Sequence, residues 1–529
     1  MKATLKKFLA CALAVCMLAL LTLPAFAGLE GDYTAPIPTV YLCGQGGVIY
    51  ADKDNTRSEQ IQDISVPDGY IEDLGKSLIG PLAKGIFFNQ WEDWVDTFVE
   101  GVAPLLEKQA LDENGEASNG SGVYTSSGNY NSVQKDGSYK LSAYTPAYDW
   151  RLDPYVIAEE IHTYIGQVRE ATGCDKVNLI GRSIGSSVEM AYLELYGAEW
   201  LDTIVLYCPS FYGMETISKT FAGKIEIDPD GIESFTEYYV ASGAADELAD
   251  GDTLQLLLDV VNVTVSLRML DIPSGMMERI YAHIYGEVYP RLLVKAYGSM
   301  PSFWSLVGDD DYEQAKEVMF GGQEDVYAGL IEKIDHFHYS NLVRSEEILT
   351  GLAEEGAKLQ IVAKYGVPMI PLVEDSDVQS DMLTSVCSAT LGAYAAPYGE
   401  ALPDSYVAAR TAAGKAKYIG ADLEVDASTG ILPDHTWLIK NLAHRTMPES
   451  INYLFEHMLN FDGYITVFDD PEIPQYLWYD AEESTVTPLT ADSGKTDATR
   501  GFFQRIRNIF RYFFNYLRNA LRIRRTDKA

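Results

Sequence analysis

The chain has 529 residues, 47% of them hydrophobic and 12% aromatic, which is ample for one large core and excludes a disordered polymer. Its net charge of −37 is uneven: residues 1–27 carry +3 and residues 500–529 carry +8, so the body between them carries −48, a balance that repels nucleic acid. Six cysteines in so long a chain, none at metal-ligand or redox spacing, exclude a disulfide-dense scaffold and a cysteine-built zinc site.

In chain order, Lys2, Lys6 and Lys7 precede the apolar run 8–23 and then Ala25-Phe26-Ala27. A basic start, a short apolar stretch and small residues at its end predict a secretory signal peptide over 1–27, with secretion or an extracellular place at the cell surface. Its removal leaves Cys43, Cys174, Cys208 and Cys387, and no later run is apolar and long enough to cross a bilayer. Residues 38–44 (PTVYLCG) predict a strand that runs into a loop, Gln45-Gly46-Gly47, whose backbone can approach a ligand closely. A helix over 91–106 and a Gly/Ser/Asn-rich surface loop over 114–137 come next, then an extended stretch over 139–150 and a helix from Pro154 to about Ala171.

Residues 177–182 read as a buried strand, 184–197 as a helix and 202–207 as another strand. From 211 to 355 the pattern turns helical and aromatic, which predicts a helical cap inserted into an α/β core formed by 28–210 and 356–465. Strand character resumes at 358–365 (KLQIVAKY), the last strand is expected at 436–442, and an amphipathic helix at 448–459. Residues 466–500 read as an extension and linker, and 501–529 as a basic amphipathic helix. Strands alternating with helices predict a mostly parallel central sheet covered on both faces, with ligands bound beyond the carboxyl ends of its strands.

Gly181-Arg182-Ser183-Ile184-Gly185 fits G-x-S-x-G between a buried strand and a helix start. Such a turn holds the serine in a crowded conformation, the glycines let strand and helix approach, and the Ile184 amide at the helix N-terminus faces a developing oxyanion. A serine hydroxyl is a weak nucleophile and needs a base oriented by a carboxylate, which come after the serine in the order acid, then histidine. His444 comes after the strand at 436–442, at the carboxyl end of a parallel strand; His435 precedes that strand, and His457 falls inside the next helix. We therefore expect His444 as the base. The acid is sought in the loop after 358–365, which offers Glu374, Asp375, Asp377 and Asp381; Asp381, next to an anchoring apolar-polar stretch, is the choice, with Asp375 and Asp377 as alternatives. Gln45 or Gly46 is expected to give the second oxyanion amide.

The stretch 148–213, with YDWRLDP, VNLIGRSIG and IVLYCPSFYG in that order, resembles the lecithin:cholesterol acyltransferase family of α/β-hydrolases, and GSMPSFW at 298–304 is similar to a segment of the family's cap. PTVYLCG resembles its first strand with Cys43 in place of a proline, and its Asp-Gly signature appears as Asp381-Met382. The resemblance implies an α/β-hydrolase fold and an acyl-enzyme at Ser183. The substrates it implies are acyl esters of lipids or other hydrophobic alcohols, with the acyl group passed to water or another hydroxyl. It also implies that Asp149 and Arg151 form a structural pair.

In the tail, Phe502, Ile506, Ile509, Phe510, Phe513, Leu517 and Leu521 recur at helical spacing opposite Arg511, Arg518, Arg522 and Arg525, a pattern suited to the surface of an anionic bilayer. No metal or organic cofactor is implied, and Asp309-Asp310-Asp311 reads as a solvated helix start. The competing reading is a non-catalytic envelope- or membrane-binding protein on the same scaffold.

Overall fold

The computed structural model describes residues 29–61 without 30 and 45, then 92–124, 133–224, 284–371 and 376–493, with isolated positions at 77, 80, 81, 84, 90, 238 and 373. The expected signal peptide, the basic helix 501–529 and most of 225–283 lie outside the described residues.

A seven-stranded sheet forms the centre, its strands adjacent in the order in which the chain makes them: β1 Thr39–Leu42, β2 Val177–Arg182, β3 Leu201–Tyr207, β4 Lys358–Tyr365, β5 Thr436–Lys440, β6 Tyr476–Asp480 and β7 Thr485–Pro488. The first six run parallel and β7 closes the edge antiparallel. Beyond β1, Tyr144 adds a parallel bridge to Val40, and its carbonyl accepts from the Tyr41 amide at 3.0 Å.

Successive side chains of these strands enter different cores, as a two-residue period requires. Val40, Leu179, Ile204, Leu206, Leu359 and Ile361 pack on one face, while Tyr41, Ile180, Val205, Tyr207 and Val362 pack on the other. The first face is covered by α1 (Pro154–Thr172) and α2 (Ile184–Tyr196), which also pack on each other. The second takes α4 (Ser450–Asn460), through Ile451, Leu454, Phe455 and Met458; α3 (Asp309–Phe320) belongs to the 211–355 stretch. Helix α1 has its ends written in sequence: Asp153 accepts from the Tyr155 amide at 3.0 Å, Pro154 occupies the first turn, and Gly173 ends the helix at φ 73°.

Two expectations need correction. The sheet does not end near 442: Asn441, at φ 65°, turns the chain out of β5 after Lys440, and YLWYD returns as β6 to pair with β5. Five residues behind an acidic, proline-broken approach show too little alternation to read as a strand, but the unpaired edge of β5 supplies their hydrogen-bond partners. The three aspartates at 309–311 do start α3, yet Asp311 is buried, not solvated. It accepts from Ser218 Oγ at 2.8 Å and Lys224 Nζ at 2.6 Å, partners contributed by a distant earlier segment of the chain that no local pattern could announce.

In the GSMPSFW segment, Trp304 is fully buried, donates its indole N–H to the Gly298 carbonyl at 2.9 Å and meets the rings of Phe221, Tyr312 and Phe320. Asp149 and Arg151 form a buried bidentate pair, Nε to Oδ1 at 2.9 Å and an Nη to Oδ2 at 2.6 Å, and the guanidinium also reaches the Gln109 carbonyl. Among the described residues no helix is long and apolar enough to cross a membrane, and Cys43, Cys174, Cys208 and Cys387 form no disulfide.

Candidate active site

Because β1 to β5 are parallel, the chain leaves each of them at the same edge, and the residues just past those ends meet there. Ser183 comes directly after β2 at φ 55° and ψ −122°, a region that side chains other than glycine rarely occupy, and α2 begins at the next residue. The turn persists because its surroundings over-determine it: the Ser183 amide donates to the Tyr207 carbonyl at 3.0 Å and the Ser186 hydroxyl donates to the Gly181 carbonyl at 2.7 Å. A Cβ on Gly185 would overlap the Leu42 carbonyl, and one on Gly181 would overlap Glu189 and the Gly185 carbonyl, so both flanking glycines are steric requirements.

His444 lies past β5, with Nε2 2.8 Å from Ser183 Oγ and Nδ1 2.6 Å from Asp381 Oδ2. The carboxylate is aimed by backbone: its Oδ1 accepts from the Leu383 amide at 3.2 Å and the Thr384 amide at 2.9 Å, while its own carbonyl accepts from the His444 amide at 2.8 Å. Burial opposes ionisation of Asp381, but His444, the Thr384 amide and the nearby Lys364 outweigh it and hold the carboxyl below its ordinary range. Asp381 and His444 are almost fully buried. The structure thus brings together Ser183, His444 and Asp381.

The alternatives sit elsewhere. His435 stacks on Tyr464 and shares a 2.8 Å hydrogen bond with the Ile465 carbonyl, His457 pairs with Asp470 at 3.5 Å, and Asp377 is exposed. Glu374 and Asp375 lie outside the described residues, as does Gln45. From the loop after β1 it is Gly44 that lines the cleft, so close that a Cβ there would stand 3.2 Å from that of Ser183. Gly46 is pressed against the Tyr148 ring; Tyr148 pins the loop at both ends, its amide donating to the Gly46 carbonyl at 3.1 Å and its hydroxyl to the Cys43 carbonyl. Ile184, whose amide opens α2, also lines the cleft.

Three residues of the site carry no sequence signal. Lys364, on β4, is buried and donates to the carbonyls of Ala443, His444 and Thr446 at 3.1, 3.0 and 2.9 Å; burial pushes its ammonium down to about 8. Arg182 donates to the Arg445 carbonyl at 2.8 Å and to that of His444 at 3.3 Å. Two buried cations thereby grip the backbone that presents the imidazole. Glu189, on α2 beneath the turn, is fully buried, and burial raises its carboxyl well above the ordinary range.

No family model, curated protein or solved structure matches this chain. Its site therefore has to be read from its own geometry. Among the described residues, Cys208, Asp381 and His444 are the one group with three metal-type ligand atoms close together, within 4.8 Å. Their environment does not fit a metal: His444 Nδ1 is committed to the carboxylate and the cations Lys364 and Arg182 already bear on both Cys208 and the site. What the arrangement can do is move a proton: the carboxylate holds Nδ1 protonated, which leaves the Nε2 lone pair facing the serine hydroxyl.

Proposed function

We propose that this protein is a serine esterase or acyltransferase with an α/β-hydrolase fold, related to the lecithin:cholesterol acyltransferase group, that works through an acyl-enzyme at Ser183. The observation that carries this reading is the continuous chain from Ser183 Oγ to His444 Nε2 at 2.8 Å and from His444 Nδ1 to Asp381 at 2.6 Å, at the carboxyl edge of a parallel sheet. In the proposed mechanism Ser183 Oγ attacks the ester carbonyl as its proton passes to Nε2. Asp381 keeps the resulting imidazolium oriented, and backbone amides at Ile184 and in the 44–46 loop receive the oxyanion. The tetrahedral intermediate collapses as Nε2–H protonates the departing alcohol, leaving the acyl group on Ser183. Water or another hydroxyl then gives its proton to Nε2 as it attacks the acyl carbon, and the second tetrahedral intermediate collapses as Nε2–H returns that proton to the departing Ser183 Oγ, releasing the product.

The substrates proposed are acyl esters carried on lipid-like or other hydrophobic alcohols. The largely apolar lining of the cleft around Ser183 supports an apolar substrate. Export by the leader 1–27 and contact of residues 502–525 with an anionic membrane surface complete the reading; with −48 on the body, nucleic acid is not a partner. A fluorophosphonate probe tests it. Ser183→Ala is expected to abolish labelling of a protein that otherwise labels and cleaves p-nitrophenyl esters. Folded wild-type protein that neither labels nor turns over any ester is the result that favours a non-catalytic binding protein.

A further inference from the structure

We infer that in the free protein the basic tail, residues 501–529, docks on its own body, along the acidic face presented by α4 and the loop that follows it. This goes beyond the reading of Ser183 and does not depend on it. Residues 500–529 carry +8, whereas the stretch just before them, 446–493, holds ten aspartates and glutamates and no lysine or arginine. Opposite charge of this size on two neighbouring parts of one chain draws them together.

The topology delivers the tail to that face. Strand β7 runs antiparallel to β6, so it returns the chain to the amino edge of the sheet, opposite the edge that holds Ser183. The loop after α4 lies at the amino edge too, because His435, just before β5, bonds the Ile465 carbonyl. From Ser493 to residue 501 the chain spans up to about 27 Å, and residues 501–525 as a helix would run about 37 Å, more than twice the roughly 16 Å of α4.

The face itself is acidic and partly aromatic. Glu449 is exposed at the start of α4, Glu456 lies farther along it, the Tyr453 hydroxyl donates to Glu472 at 2.9 Å, and His457 pairs with Asp470 at 3.5 Å. Tyr453 and Phe461 each keep 38% of their surface exposed among these acids, which offers apolar contact to the phenylalanines of the tail. The other face of the sheet is less suited, since Lys415 and Lys417 lie over the Tyr418 ring there; Lys417, over the Phe468 ring at 3.9 Å, marks where the acidic surface ends. A single exposed ion pair is weak, but a short tether keeps the tail at about millimolar effective concentration, so several pairs act together. An anionic bilayer offers phosphates to the same arginines, and therefore competes with the body for the tail.

The test is limited trypsin digestion of the full chain at low salt, with cuts at Arg505, Arg507 and Arg511 followed by mass spectrometry. Cleavage reads the undocked population, so these sites are expected to be cut at least tenfold more slowly than in a free peptide of residues 500–529, at a rate independent of protein concentration. Glu449→Gln/Glu456→Gln/Glu472→Gln is expected to remove that protection. If this variant fails to fold, Arg518→Gln/Arg522→Gln, which leaves the body untouched, should have the same effect. Wild-type cleavage as fast as the peptide's overturns the inference, as does protection that survives both sets of substitutions. Protection that grows with protein concentration places the tail on a second copy, and protection seen only with added anionic vesicles leaves the membrane as its sole site; either result overturns docking on its own body. Fluorophosphonate labelling, read alongside, reports on Ser183 separately.

Discussion

Replacing Asp381 with asparagine changes one atom, and the local hydrogen bonds dictate the consequence. In the native site Oδ1 accepts from two backbone amides, those of Leu383 and Thr384, and Oδ2 faces His444 Nδ1. An asparagine cannot turn its NH₂ toward two N–H donors, so its carbonyl oxygen takes the Oδ1 place and its NH₂ faces the imidazole. Nδ1 then has to accept, the ring proton moves to Nε2, and Nε2 can no longer take the proton of Ser183. A wrong tautomer in this arrangement costs about 10⁴ in kcat, or roughly 5 kcal/mol of transition-state stabilisation. The side chain keeps its shape and its two amide partners, so the fold should hold, with a loss of no more than about 1.5–3 kcal/mol for the missing charge-assisted bond. The assay is kcat/KM on p-nitrophenyl butyrate near pH 7, beside a denaturation curve. A folded Asp381→Asn enzyme within tenfold of wild type would falsify the role given to this carboxylate.

Three further outcomes are expected. Lys364→Met removes one buried donor from each of the carbonyls of residues 443, 444 and 446, of which 444 keeps Arg182 and 443 keeps the Thr446 amide; it should cost about 2–4 kcal/mol of stability in urea titrations and lower kcat at least tenfold with KM little changed, and an unchanged kcat would remove Lys364 from the positioning of His444. Because burial raises the Glu189 pKa, the folded state holds that proton more tightly than the unfolded chain, so stability falls as pH rises above the unfolded value of about 4.3. Glu189→Gln should flatten that slope between pH 5 and 8 and melt no lower than wild type at pH 8; a variant as pH-sensitive as the parent contradicts this. Gly185→Ala drives a Cβ into the Leu42 carbonyl, backbone against backbone, and should cost about 3 kcal/mol or more and abolish fluorophosphonate labelling; a stable, labelled variant would show that β1 and α2 are not held in this contact.

The parts of this protein that were legible in its sequence share one property: local pattern and tertiary environment ask for the same residues. The strands at 177–182 and 358–365 are buried almost throughout, so their apolar runs needed no partner to be recognised, and parallel strand direction was enough to prefer His444 over His435. Four acids in one loop were harder to separate. What singles out Asp381 is the pairing of 379–380 with 367–368, which carries that carboxylate back under the imidazole while Asp377 stays in solvent. The next residue pays for that placement in its backbone: Met382 adopts φ 93°, a conformation that suits glycine, and this chain bears the strain with a methionine. Lys364 and Glu189 were invisible for the opposite reason. In KLQIVAKY and SIGSSVEMAY each stands where a charged residue reads as the solvent face of its element, yet both are buried. Each acquires its meaning from distant backbone or from the turn it supports, the carbonyls past β5 in one case and the floor under Ser183 in the other. Periodicity records which residues an element hides from water. It does not record a charge hidden on purpose, because that choice depends on polar groups that only the assembled fold brings within reach.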